Sequence, residues 1–158
     1  MVPTFADIQA AAARIAPFAI RTPLVESAGL NALTGGRVFL KLETLQRTGS
    51  FKFRGACNRL AMIPQDQRAH GVVAFSSGNH AQGIALAGAQ RGISVTVVMP
   101  AIAPLAKINA TRGYGATVIL AGLSLEEARA EAQAIAAREN RLYVPPFDDD
   151  AIIAGQRS

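Results

Sequence analysis

From residue 71 the chain alternates two kinds of segment, and this alternation limits the fold to one class. "GVVAFSS", "ISVTVVMP", "ATVILAG" and "RLYVPPF" are short, apolar and rich in β-branched residues. Between them lie "GNHAQGIALAGAQRG", "APLAKINATRGYG" and "LSLEEARAEAQAIAAREN", each long enough for several helical turns. Strands apolar along their whole length, separated by helices, predict a parallel sheet covered by helices on both faces, with right-handed crossovers. The last helix is the best specified. Ser124 and Glu127 have the spacing of a capping box, and Leu125, Ala128, Ala132, Ile135 and Ala136 share one face. Before residue 71 the order is less regular. Residues 4 to 16 and 26 to 33 read as helices, "RVFLKLE" as a strand, and a further helix follows Ser50. Half of the residues are hydrophobic and 17% are charged, which fits a folded globular chain.

Two stretches carry chemistry. In "TGSFKFRGA", Lys52 stands between Phe51 and Phe53 at the predicted start of a helix, with Ser50 as N-cap and Arg54 close by. A positive helix end, a second cation and apolar flanks all disfavour the ammonium form. A neutral amine is a nucleophile that can form a Schiff base, so Lys52 is a candidate activated lysine. In "SSGNHAQG", Ser76, Ser77 and Asn79 offer polar side chains at the carboxyl end of the first parallel strand, and Gly78 lets the backbone come close. Open α/β sheets bind ligands at that edge, and the helix that follows opens with amides suited to a carboxylate or phosphate.

Other functions find little support. The formal charge is +5, but the basic residues are scattered and no basic run is interleaved with aromatics, so no nucleic-acid partner is expected. The single cysteine, Cys57, can form no internal disulfide, and the two histidines lie far apart, so a reducing compartment is expected and no metal. No apolar run approaches a membrane span. The N-terminal stretch lacks the basic start of a signal peptide and is interrupted by Asp7, Arg14 and Pro17. A cytoplasmic protein is expected. No G-x-G-x-x-G follows a strand, so no dinucleotide site is expected.

Taken in order, "SFKFRGA", "SSGNHAQG", "VVMPAIAPLAKINATRGYGA" and "VPPFDDDAIIAGQ" resemble the pyridoxal-phosphate enzymes of fold type II, in the branch of threonine/serine dehydratases and serine racemases. The resemblance runs from about residue 20 to residue 156. It implies that Lys52 holds pyridoxal 5'-phosphate, that Phe51 packs beside the cofactor ring and that Asn79 bonds its hydroxyl. It implies that Ser76, Ser77, Gly78, Asn79 and His80 hold the carboxylate of an amino-acid substrate, threonine or serine. Lys52 and Ser77 would be the catalytic pair. Arg129 falls near an arginine of the racemases. The implied activity is ammonia-lyase chemistry giving a 2-oxo acid and ammonia. The alternatives are a serine or hydroxyaspartate racemase/dehydratase, or a non-catalytic α/β fragment. The "VPPFDDD" stretch is closer to the dehydratases.

The resemblance also divides the chain. Residues 50–145 would form the small α/β domain. Residues 1–49 would be the N-terminal segment of a larger domain, and 146–158 the start of the return into it. No glycine-rich phosphate loop is found in residues 1 to 158, since Gly35-Gly36 reads as a turn. A truncated chain is therefore expected, inactive or nearly so and binding the cofactor weakly. Phe18, Ile20, Leu30, Val38 and Leu40 would be partly exposed and favour self-association. A full-length version would be a homo-oligomer.

Overall fold

The computed structural model describes residues 2–158. Four strands, β3 (Val72–Phe75), β4 (Val95–Met99), β5 (Thr117–Leu120) and β6 (Leu142–Tyr143), form one sheet in the order β5-β4-β3-β6. Every pairing is parallel, with Val72 opposite both Val95 and Leu142, and Thr96 opposite Thr117. β3 and β4 are buried along their whole length. Successive side chains alternate between faces. Val72, Ala74, Val95, Val97 and Met99 meet Phe53, Leu60, Ile84 and Ile108 on one side. Val73, Phe75 and Val98 meet Ala128, Ala132 and Ile135 on the other. The first face is covered by α3 (Lys52–Ala61), α4 (Asn79–Ala89) and α5 (Leu105–Gly113), the second by α6 (Leu125–Glu139). The predicted α/β class, a parallel sheet between two helical layers, is what forms.

Local signals explain α6. Ser124 accepts from the Glu127 amide at 3.1 Å, and Glu127 accepts from the Ser124 amide at 2.9 Å, so the capping box is complete. Asn140 ends the helix in the left-handed region at φ 52°. Ala128, Ala132 and Ile135 are buried as expected, whereas Leu125 is exposed because it stands in the first turn, above the sheet edge.

Elsewhere the elements differ from the sequence reading. The last predicted strand shrinks to two residues, because Pro145 and Pro146 have no amide to give the ladder. Residues 150–156 form a further helix, α7 (Asp150–Gln156), whose cap Asp149 accepts from the Ile152 amide at 2.9 Å. α7 lies on α3 in near backbone contact. A Cβ on Gly155 would stand 2.6 Å from Asn58 Cβ, and one on Gly55 would stand 2.7 Å from the Ile152 carbonyl. The N-terminal helix α1 (Phe5–Ile15) packs against both, and its Ile15 joins the same core as Phe53.

Residues 24 to 41 make a small antiparallel ribbon, β1 (Leu24–Glu26) with β2 (Phe39–Lys41), closed by α2 (Ala28–Thr34). Gly35 caps α2 at φ 69°, the turn expected of it. Leu24, Phe39 and Leu40 on the ribbon stay exposed, as does Ile20, while Phe18, Leu30 and Val38 are half-buried. Among the described residues no helix is long and apolar enough to cross a membrane.

Candidate active site

Lys52 is the first residue of α3, and glycine on α4 sets its position. A Cβ on Gly83 would stand 3.2 Å from the Lys52 carbonyl carbon, so α3 begins directly against α4. Lys52 thereby comes to the carboxyl end of β3, in a cleft of about 300 Å³ that it lines with Ser76, Ser77, Gly78, Asn79 and His80. The two motifs, well separated in sequence, meet in one cleft.

The Lys52 amine donates to the Pro146 carbonyl at 2.8 Å and lies 5.5 Å from the centre of the Phe51 ring. Burial lowers its pKa below the usual lysine value. That is the desolvation expected from sequence, and Lys52 does open its helix, but the second cation is placed differently. Arg54 points away from Lys52 and is held by Glu43 through two bonds of 2.8 Å, with a third to the Ile20 carbonyl. Its charge is matched by a carboxylate eleven residues upstream that the local sequence does not reveal. The aromatic bracket also divides. Phe53 is wholly buried in the core, and Phe51 alone, 43% exposed, flanks the amine. Ser50 accepts from the Lys52 amide at 3.4 Å, but the cap position itself falls one residue later, at Phe51.

The loop after β3 is anchored from below. The Ser76 amide donates to the Val98 carbonyl at 3.1 Å, extending the ladder, and its hydroxyl accepts from the Gly78 amide at 3.0 Å. Ser77 is half-buried and Asn79 exposed. Gly78 precedes α4, and among the described residues no side chain caps that helix. Its positive end is therefore available to an anion. None of the described residues lining the cleft is acidic.

His80 is almost wholly buried, with Nε2 3.4 Å from the Val144 carbonyl. A carbonyl only accepts, so Nε2 carries the proton and Nδ1 is a bare acceptor; among the described residues no partner reaches it. Burial, and secondarily the nearby Lys52 charge, push the imidazole pKa down to about 4. His80 is neutral at neutral pH.

Sequence reasoning missed five residues of the cleft: Phe75, Lys107, Leu125, Pro146 and Phe147. Lys107 stands in the quoted stretch "APLAKINATRGYG", but an exposed lysine in a helix has no distinguishing signal. Arg129 lines an adjoining cleft with Tyr143 and Phe147 rather than that of Lys52, and is paired with Glu126 at 2.5 Å.

The chain is similar to known proteins along nearly its whole length. The family described as pyridoxal-phosphate dependent enzyme matches residues 15–158. A catabolic L-threonine dehydratase, TdcB, of Staphylococcus aureus is 49% identical over 151 residues, which are 95% of this chain and 44% of that protein. Among solved structures, serine racemase of Dictyostelium discoideum superposes with a TM-score of 0.89 at 38% identity, over 96% of this chain and 50% of its own. Maize serine racemase superposes with a TM-score of 0.92 at 34% identity, over 98% and 47%. The chain spans about half the length of these relatives.

Proposed function

We propose, for a chain that belongs to the pyridoxal-phosphate dependent enzyme family, that it carries the cofactor lysine of a threonine/serine ammonia-lyase whose products are a 2-oxo acid and ammonia. The observation that carries this reading is the Lys52 amine. It is half-buried and lowered in basicity, and it faces an uncapped helix start in a cleft without acidic lining among the described residues. The threonine dehydratase likeness, at 49% identity, favours the lyase over the racemases.

The residues present fit the cofactor. An amine of lowered pKa is suited to bonding an aldehyde, and the orphaned His80 Nδ1 marks a polar site built for more than packing. Lys52 would hold pyridoxal phosphate through Nζ, Phe51 would flank its ring and Asn79 would bond its hydroxyl. When bound, the cofactor supplies an electron sink that makes the Cα proton of an amino acid removable. The chain's own residues do the rest. Ser76, Ser77, Gly78, Asn79 and His80 hold and orient the carboxylate, chiefly through the amides that open α4. Once the substrate's amino group has displaced it, the Lys52 amine would take the Cα proton onto Nζ. The β-hydroxyl leaves as water, and hydrolysis then releases ammonia. Ser77 offers a hydroxyl from the loop side. If it returned a proton to the opposite face of Cα the outcome would be racemisation, a second reading that draws on the maize serine racemase likeness.

In this reading residues 50–145 are the small domain, 1–49 and 146–158 belong to a larger one, and the protein works in the cytoplasm, where a lone buried Cys57 stays reduced. The test is a chimera in which residues 1–156 replace the matching segment of the Staphylococcus aureus threonine dehydratase. It should convert L-threonine to 2-oxobutyrate with pyridoxal phosphate, and Lys52→Ala should abolish turnover. A folded chimera without turnover, or activity surviving Lys52→Ala, contradicts the reading.

A further inference from the structure

Lys107 is a cation in an unfavourable place with no ion pair to explain it. It lies in the first turn of α5, where the helix dipole disfavours positive charge. Among the described residues no carboxylate forms an ion pair with it. Its side chain is folded over the loop after β3. A Cβ on Gly78 would stand 2.7 Å from Lys107 Nζ and 2.9 Å from its Cδ. Gly78 has an extended φ of -173°, so the close approach of Lys107, rather than a left-handed turn, is what glycine accommodates here.

The positive end of α4 and two lysines therefore converge on one cleft that has no acid among its described lining residues. The buried His80, neutral and with Nδ1 unpartnered, adds no negative charge and is the independent sign that the loop meets a ligand. We propose that Lys107 is a specificity-determining contact for the α-carboxylate of the substrate, supplying the full charge that the loop amides lack. The inference rests on the amino-acid reading above. Backbone amides donate more weakly to a neutral carbonyl than to a carboxylate, and an ammonium widens that difference with a full charge. Lys107 would thus select free amino acids over their amides and over peptides. Carboxylate and phosphate share this chemistry, and we assign the site to carboxylate because, with Lys52 engaged by the cofactor, the one remaining ammonium matches a single negative charge.

The experiment follows backbone amide signals of residues 77 to 81 in the isotopically labelled 158-residue chain. L-threonine, L-threoninamide and inorganic phosphate are titrated in turn. L-threonine should shift these signals and threoninamide should not. Lys107→Ala should weaken L-threonine binding about tenfold, as expected for loss of one charge-assisted bond, and Lys107→Arg should restore most of it. The thermal midpoint of Lys107→Ala should stay near that of wild type, since the side chain is exposed. Unchanged affinity in Lys107→Ala, equal binding of threoninamide, phosphate as the only anion bound, or no shift at all would each overturn the inference. Covalent capture of pyridoxal phosphate at Lys52 is scored separately on the same samples. Capture together with indifference to Lys107→Ala overturns this inference alone, and failure of capture overturns the reading beneath it.

Discussion

Burial lowers the basicity of both Lys52 and His80, and the two shifts serve different ends. For Lys52 burial makes the amine in the cleft less basic. For His80 the neutral ring fills the space beneath the loop and bonds Val144. The His80 shift fixes a pH dependence. Its pKa is about 4 in the folded chain against 6.5 in the unfolded one. Between those values the unfolded state binds a proton that the folded state refuses, so stability falls as pH falls through this window. The full loss is roughly 3 kcal/mol by the worth of a pKa unit. Denaturant unfolding at pH 7 and at a pH just above the folded value should show most of it, and His80→Gln should show a clearly smaller drop between the same two conditions. An equal drop in both proteins would place the titrating group elsewhere. Little of this could be read from the residue alone. "GNHAQ" announces a helix start near a strand end, but only tertiary packing brings Val144 over the imidazole. For the same reason Lys52 was legible as a candidate while the pairing of Arg54 with Glu43 was not.

At the scale of elements, α6 and α7 mark the limits of local information. The cap, the acidic first turn and the apolar spacing of α6 all lie within its own residues, and its bounds follow from them. α7 has a cap too, Asp149, but only seven residues, and its helicity depends on α3. The crossing is made by Gly55 and Gly155, which bring the two backbones together. Gly155→Ala would set a methyl 2.6 Å from Asn58 Cβ and 2.7 Å from the Arg54 carbonyl, groups that cannot swing away. It should destabilise the chain by about 1–3 kcal/mol, the usual cost of overpacking. Because α3 begins with Lys52, the same variant should also loosen the seat of that lysine. Chemical denaturation checks the first effect. A variant as stable as wild type would show that α7 is not seated as described. β6 makes the same point from the other side: an apolar run predicted a full strand, and two prolines ended the ladder after the Val144 amide, which donates to the Val73 carbonyl.

The whole molecule is organised so that its chemistry collects at one edge of the parallel sheet. The α/β class was legible from residues 71 to 147, because continuous apolar strands and intervening helices leave few other packings. The resemblance already implied that Lys52 and the Ser76–His80 loop meet; what lay beyond sequence was the arrival of Lys107 and Pro146 beside them. The β1–β2 ribbon exposes Leu24, Phe39 and Leu40. Apolar surface of that kind favours association, and it suits a segment that packs against further protein. Everything proposed for the cleft depends on Lys52 being the amine that holds pyridoxal phosphate. The most direct measurement is borohydride reduction of the chain mixed with limiting pyridoxal phosphate, followed by mapping of the tagged peptide. Lys41, Lys52 and Lys107 are the lysines that compete for the label. The tag should fall on Lys52 in preference to both others, because burial lowers the basicity of its amine and the cleft receives the aldehyde beside it. Labelling spread evenly over Lys41, Lys52 and Lys107, or unchanged in amount in Lys52→Ala, would contradict it.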